Sequence, residues 1–156
     1  KSMDNAFYRK QCRGSLDPVL VFCKQAVAAG VLVEITNLVI PTLNEDMKLI
    51  ESLAKWVADN LGKHTPLHLS GYYPQYKLKI EATTSGVLEK ALEVCKKELL
   101  YVYVGNIWTS EGQDTLCPQC GERLIFRRGY AVSASGMKGD SCSKCGRKVE
   151  GVFRAK

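Results

Sequence analysis

No stretch of this 156-residue sequence approaches the roughly twenty consecutive apolar residues that span a bilayer, which argues against a membrane helix. The first ten residues, Lys1 to Lys10, lack the apolar centre of a secretory signal, so the chain is expected in the cytoplasm, with no membrane partner. Internal repeats and low-complexity tracts are absent too. Histidine is scarce: His64 and His68 are the only two. Such a residue beside apolar neighbours is more often a satisfied structural group than a catalyst. Residues 1–114 carry no net charge, with 13 Lys/Arg against 13 Asp/Glu, so the basic balance of +6 comes wholly from residues 115–156, with 9 against 3. Four thiolates around one divalent ion would remove about two units of that excess. An extended nucleic-acid footprint is therefore not expected.

What is present is enough for one core and a small appendage: 46% apolar and 24% charged residues. Seven cysteines are an odd number, and four fall into two Cys-x-x-Cys pairs, Cys117/Cys120 and Cys142/Cys145, with Cys12, Cys23 and Cys95 left over. In a chain without an export signal this pattern argues for metal or redox chemistry rather than a disulfide framework. Two residues between paired cysteines let one tight turn present both sulfurs, and Gly121 and Gly146 relieve the backbone after each turn. With 21 residues between the pairs, the expected site is a structural zinc ribbon. Tetra-thiolate iron, a thiol redox pair and disulfides are the alternatives. Four filled positions leave none for substrate, so the site is expected to stabilise the tail rather than catalyse.

Along the chain, residues 16–29 read as a helix, with Pro18 in its first turn and Gly30 as its stop. Residues 31–40 are rich in β-branched side chains and close on Pro41, as a buried parallel strand does. Asn44 is expected to cap a helix with Ile50, Leu53, Ala54, Val57 and Leu61 on one face, ending at Gly62. Residues 67–72 form a second strand. Thr84 or Ser85 caps a third helix, and residues 101–104 form a third strand. This alternation predicts β/α units around a parallel sheet, with ligands beyond the carboxyl ends of the strands. Three strands cannot close a barrel, so the β/α region reads as incomplete. A composition shift near residues 109–114 separates residues 1–112 from a β zinc-ribbon module, residues 113–156.

Several strings fall together in register: Lys1-Ser2, Phe7-Tyr8-Arg9-Lys10, Leu16-Asp17-Pro18-Val19-Leu20, Val33-Glu34-Ile35-Thr36, Leu38-Val39-Ile40-Pro41, Leu43-Asn44, residues 101–106 and Cys117-Pro118-Gln119-Cys120-Gly121. Together they resemble the C-terminal half of radical S-adenosylmethionine enzymes related to pyruvate formate-lyase activating enzyme, in the AmmeMemoRadiSam subgroup. The resemblance implies the α/β class: the C-terminal part of a partial (β/α) radical-SAM barrel followed by the ribbon. It also implies a 4Fe–4S cluster and S-adenosylmethionine in the full-length enzyme, which abstracts hydrogen through a 5′-deoxyadenosyl radical. The cluster loop of that family, Cys-x-x-x-Cys-x-x-Cys, does not occur here. The chain opens on Lys rather than Met, and the expectation is a fragment or processed half, inactive alone, whose missing N-terminal half or a partner chain supplies the cluster.

By the same resemblance Lys1 matches the lysine of the family's Asp-x-Lys strand end. Thr36 lies on the strand lining the cofactor face, and Tyr73 stands where relatives often place a histidine. The sequence departs from the family with Thr42 for glycine, Gly71 for arginine and Gln75 for aspartate, all on the expected ligand edge. Among other candidates, Trp56 reads as packing and Trp108 as a residue of the pocket mouth. Arg127 and Arg128 beside Tyr130 read as a solvated face, and nucleic acid as an unlikely partner. A non-enzymatic ribbon docking a separate chain, or a nucleic-acid-binding ribbon, are the competing functions.

Overall fold

Three strands take the centre of the molecule: β1 (Ile35–Val39), β2 (Leu67–Gly71) and β3 (Val102–Gly105). The computed structural model describes residues 1–153. The strands run parallel in the order β1-β2-β3, with Ile35 opposite Leu67 and Leu67 opposite Val102. Preceding them are a short helical turn, α1 (Asn5–Phe7), that widens into a π-helical turn over Tyr8–Cys12, and then α2 (Leu16–Ala28). Helix α3 (Met47–Leu61) joins β1 to β2, and α4 (Ser85–Lys96) joins β2 to β3. Right-handed crossovers between adjacent strands put both connecting helices on one face. Accordingly α3 packs on α4, and α2 packs on α3. No helix among the described residues is long and apolar enough to cross a membrane.

The strands have a period of two, and the two faces of the sheet differ. Val39, Leu67, Leu69, Val102 and Val104 turn toward the helices and are buried with Ile50, Val57, Leu88 and Leu92. Side chains of this size each contribute about 1.5–3 kcal/mol when removed from water. Their neighbours Thr36, His68 and Tyr103, which share one row across the register, face the other way and are exposed or half-buried. At the C-terminal end of that face Leu38 packs against a second cluster formed by Phe7, Tyr8, Leu16, Ile40 and Tyr72, whereas Thr36 is exposed and His68 and Tyr103 are half-buried.

Two expectations need correction. The first strand does not start at Val31 but at Ile35, whose N–H donates to the Pro66 carbonyl at 2.9 Å. Before Pro66 the partner chain is still turning, so Val31 to Glu34 have nothing to pair with, and Val31 and Leu32 stay exposed. Nor does Asn44 cap α3. The cap is Asp46, whose carboxylate accepts from the N–H groups of Lys48 and Leu49 at 2.7 and 3.4 Å. Asn44 is buried instead. Its Oδ1 accepts from the Ile40 N–H at 2.6 Å, and its Nδ2 donates to the carbonyls of Leu38 and Lys1 at 2.9 and 2.8 Å.

Beyond β3 the chain is built of short antiparallel pieces. Strand β4 (Thr115–Leu116) pairs with β5 (Arg123–Arg128), which pairs with β6 (Ala131–Ser133); β7 (Met137–Lys138) pairs with β8 (Ser141–Cys142). A side chain at Gly136 would collide with the Arg123 carbonyl, so only glycine lets this chain cross β5. Leu124, Val149, Cys117 and Cys142 form a small core of their own, and Tyr101, at the foot of β3, is part of it. The tail is thereby fastened to the sheet: the Tyr101 hydroxyl donates to Glu150 at 2.6 Å, and the Tyr103 hydroxyl meets Thr115 Oγ1 at 2.9 Å.

Candidate metal centre and the open face of the sheet

Each cysteine pair occupies the same local structure. The Gly121 N–H donates to the Cys117 carbonyl at 2.9 Å, and the Gly146 N–H to the Cys142 carbonyl at 2.9 Å. In turn the Cys117 N–H donates to the Glu122 carbonyl at 2.7 Å and the Cys142 N–H to the Arg147 carbonyl at 2.9 Å. Gly121 and Gly146 have φ of 72° and 73°, the left-handed region that a turn of this shape imposes on the residue after it. The result is two knuckles with the same hydrogen-bonding pattern, their sulfurs turned toward one another.

Their sulfurs converge. Cys117 Sγ lies 3.6 Å from Cys145 Sγ and Cys120 Sγ 3.7 Å from Cys142 Sγ, and all four lie within 4.8 Å of one another. Four sulfurs at about 2.3 Å from one tetrahedral ion are spaced roughly 3.8 Å apart, whereas a disulfide needs about 2.05 Å. The arrangement fits a single four-coordinate ion and not a pair of disulfides. Burial works to raise the Cys117 thiol, but the N–H groups of Cys120 and Gln119 and the neighbouring sulfurs lower it to about 7. Cys120 accepts from the Glu122 N–H, which lowers it, yet burial and the three other sulfurs outweigh this and push it up to about 12. Without a cation, the cluster therefore gives up protons unevenly, and a divalent ion relieves the crowding of negative charge. Among the described residues this is the only group of three or more metal-ligating side chains. Cys12 is exposed on the π-helical turn, while Cys23 and Cys95 are buried in α2 and α4.

The second candidate region is the part of the sheet around His68 and Tyr103, on the face turned away from α3 and α4. Here Glu34, His68, Tyr103 and Arg127 stand in a line. His68 Nε2 is 2.9 Å from Glu34 Oε2, the His68 ring stacks on Tyr103 at 5.2 Å with 27° between planes, and the Arg127 guanidinium lies 5.3 Å from the Tyr103 ring centre. A cavity of about 780 Å³ opens over this line, walled on one side by the sheet and on the other by the tail. Tyr73 and Trp108 stand in its rim, Trp108 with 73% of its surface exposed. His68 thus has the satisfied environment expected of it. The reading of Arg127 and Arg128 as a solvated face fails for Arg127, which turns inward over Tyr103. Arg128 and Arg123 share the single carboxylate of Asp114 at 3.2 and 3.1 Å, so the hairpin keeps a positive excess.

The remaining sequence candidates are dispersed. Thr36 is in the row of His68 and Tyr103, exposed. Lys1 is exposed, with its carbonyl held by Asn44. The departures from the family pattern have local consequences: Thr42 sits at φ 63°, where glycine would be unstrained, and Gly71 is in contact range of Ile107 while its carbonyl accepts from Asn106 at 2.8 Å. The period-two alternation of β1, β2 and β3 was the signal that would have put Thr36, His68 and Tyr103 on one face. Nothing local marks Glu34 or Arg127, which reach the line from a loop and from the tail.

Comparison with known proteins agrees with this architecture. No protein-family model matches the chain. An uncharacterized protein of Methanocaldococcus jannaschii is 40% identical over 153 residues, which is 94% of this chain and 45% of that protein. The chain thus spans a little under half the length of the curated relative it matches. Among solved structures, a domain of the pyruvate-formate lyase-activating enzyme from Bacteroides vulgatus is similar with a TM-score of 0.60 at 20% identity, covering 68% of this chain and 63% of that one. The likeness is one of fold: a mixed α/β structure with a parallel sheet, carrying in this chain a four-cysteine group able to hold a metal ion.

Proposed function

We propose that the chain is the C-terminal part of a radical S-adenosylmethionine enzyme of the activating-enzyme type, in the AmmeMemoRadiSam subgroup. Residues 1–112 are the later β/α units of its partial barrel and residues 113–156 a structural zinc ribbon. The observation that carries this reading is the uneven sheet: α3 and α4 cover one face of β1-β2-β3, while on the other face Thr36 is exposed and His68 and Tyr103 are half-buried, and among the described residues no strand pairs with the outer edge of β1. A barrel wall has that form, with one face turned to the helices and the other to the interior. The likeness to a domain of an activating enzyme supports it.

In this reading the enzyme takes hydrogen from a protein or small-molecule substrate, using a radical supplied by a 4Fe–4S cluster and S-adenosylmethionine. The cysteines of this chain do not fit the cluster, since Cys12, Cys23 and Cys95 sit on separate elements and the four others form one compact centre. What this chain contributes is position. Lys1, Thr36 and Tyr73 are assigned to the cofactor side: Thr36 points out of the open face, Tyr73 follows the end of β2, and Asn44 ties the Lys1 backbone to the end of β1. The zinc ion, held by Cys117, Cys120, Cys142 and Cys145, orders the tail against β3.

The test is to express the chain together with whatever coding sequence lies upstream, reconstitute it with iron and sulfide under anaerobic conditions, supply dithionite as the electron donor, and measure 5′-deoxyadenosine and methionine formed from S-adenosylmethionine. Reduction to 5′-deoxyadenosine, lost on changing the upstream cysteines, is expected. An upstream sequence without Cys-x-x-x-Cys-x-x-Cys sinks the reading of a fragment. Recovery instead of a separate chain bearing that loop, bound at the free β1 edge, would favour the docking alternative.

A further inference from the structure

We infer that the cavity between the open sheet face and the four-cysteine tail is a binding site for a small apolar carboxylic acid, with its carboxylate on Arg127. The inference rests on residues of this chain alone and not on the radical-enzyme reading. Arg127 differs from the other described arginines of the tail. Arg123 and Arg128 pair with Asp114, and Arg147 with Glu150, but among the described residues Arg127 pairs with no carboxylate. One of its terminal nitrogens, Nη1, donates to the Gln113 carbonyl at 3.2 Å and to Thr115 Oγ1 at 2.8 Å, which fixes the plane of the guanidinium. Among the described residues nothing is bonded to its Nε and Nη2. A guanidinium held by one edge, with the other edge free beside a cavity, presents the paired donors that a carboxylate accepts.

The rest of the cavity sets the class of the ligand. Ile107, Trp108 and Ile125 supply apolar wall, and the stacked Tyr103 and His68 rings lie beside them. A volume of about 780 Å³ is in the range of small-molecule sites. Glu34 and Glu150 also line it, so a second negative charge on the ligand would meet repulsion. A single carboxylate on an apolar body suits this distribution better than a phosphate ester. The tail supplies the anchoring cation, so the metal centre has a role in binding as well as in folding.

The test uses benzoate, benzyl alcohol and phenyl phosphate as probes of the metal-loaded protein, followed by tryptophan fluorescence and by the ¹⁵N resonances of the arginine side chains. Benzoate is expected to bind at least about tenfold more tightly than benzyl alcohol, the size of one charge-assisted hydrogen bond, and R127Q to abolish that preference while leaving benzyl alcohol unchanged. R128Q, whose partner is Asp114, should bind benzoate as the native protein does. Equal binding of benzoate and benzyl alcohol, or an unaltered preference in R127Q, would overturn the assignment, and tighter binding of phenyl phosphate would overturn the single-charge argument. Should R127Q lose its metal, the native protein decides: the Arg127 Nε resonance must move with benzoate and not with benzyl alcohol, and its failure to move counts against the site.

Discussion

The side chain of Asn44 holds the carbonyl of Lys1, 43 residues earlier in the chain, at 2.8 Å. The same amide also serves the two backbone groups that end β1, the Leu38 carbonyl and the Ile40 N–H. Asn44 is 2% exposed, so no water replaces these bonds when they are lost. Asn44→Ala should therefore destabilise the protein by about 3 kcal/mol, since each orphaned buried group costs roughly 1–3 kcal/mol. Asn44→Asp should fare no better, because a carboxylate cannot donate to the two carbonyls. Urea unfolding of the two variants checks this, and an Asp variant as stable as the native protein would refute the donor role.

Removing the metal should unfold the tail while leaving the β/α region folded. The tail core is small, whereas the main core holds Leu67, Leu69, Leu88 and their neighbours independently of it. A chelator should collapse the amide dispersion of residues 115–150 and spare that of residues 35–105. Metal affinity should also fall as pH falls: the thiols must lose protons to bind, and Cys120 without metal holds its proton up to about 12. Competition with a chromophoric chelator across pH measures this, and proton release on binding gives the same sign.

Tyr101→Phe should loosen the tail from β3. The Glu150 carboxyl is held below its ordinary value although burial acts against it, and the Tyr101 hydroxyl is the main cause of the lowering. A carboxyl lowered in the folded state adds stability above its unfolded value and loses it as pH falls through the folded value. Without the hydroxyl that increment shrinks. We expect a loss of about 1.5 kcal/mol at neutral pH, the usual worth of a hydrogen bond to a charged group, and an upward move of the Glu150 titration seen by NMR.

Gly136→Ala should be among the most damaging small changes in the tail. The added methyl would meet the Arg123 carbonyl and the Leu124 backbone, neither of which can swing aside. A cost of about 3 kcal/mol, at the upper end for overpacking, is expected in the metal-loaded protein. Gly129→Ala, in the open β5–β6 turn at φ 57°, should cost only about 1 kcal/mol, the strain of a left-handed residue. Thermal unfolding of the two variants separates the effects.

Among the cysteines, Cys12 alone should react quickly with iodoacetamide in the metal-loaded protein. Cys12 is exposed, Cys23 is buried, and burial with the Glu51 charge pushes the Cys95 thiol up to about 12, where almost no thiolate exists. Mass spectrometry of timed digests would show the order.

Much of this was legible in the residues. The apolar stripe from Ile50 to Leu61 and the β-branched run of β1 each obey one period, and the helix–strand alternation follows from them. The two knuckles were legible because their chemistry is local: four sulfurs, two turns and two glycines at fixed spacing. What escaped was set by distant partners. Val31 has the composition of a strand but no neighbouring strand to bond, so pairing, not propensity, decided where β1 begins. Asn44 looks like a helix cap because caps are short polar residues before apolar stripes, and only the return of Lys1 beside it gives it another use. Arg127 was indistinguishable from Arg128 on the chain. Consecutive residues of a strand face opposite ways, so one meets Asp114 and the other crosses Tyr103.

Each strand of the parallel sheet pairs only with that of the adjacent β/α unit, β1 with β2 and β2 with β3. No pairing waits for a distant segment, so loop closure within this sheet never spans more than one helix and its connections. Such a sheet can assemble vectorially, from its first unit to its last, as the chain leaves the ribosome. The metal-bearing tail, which docks on β3, then finds its place after the three strands that precede it in the chain, and metal supply limits the docking of the tail rather than the assembly of this sheet.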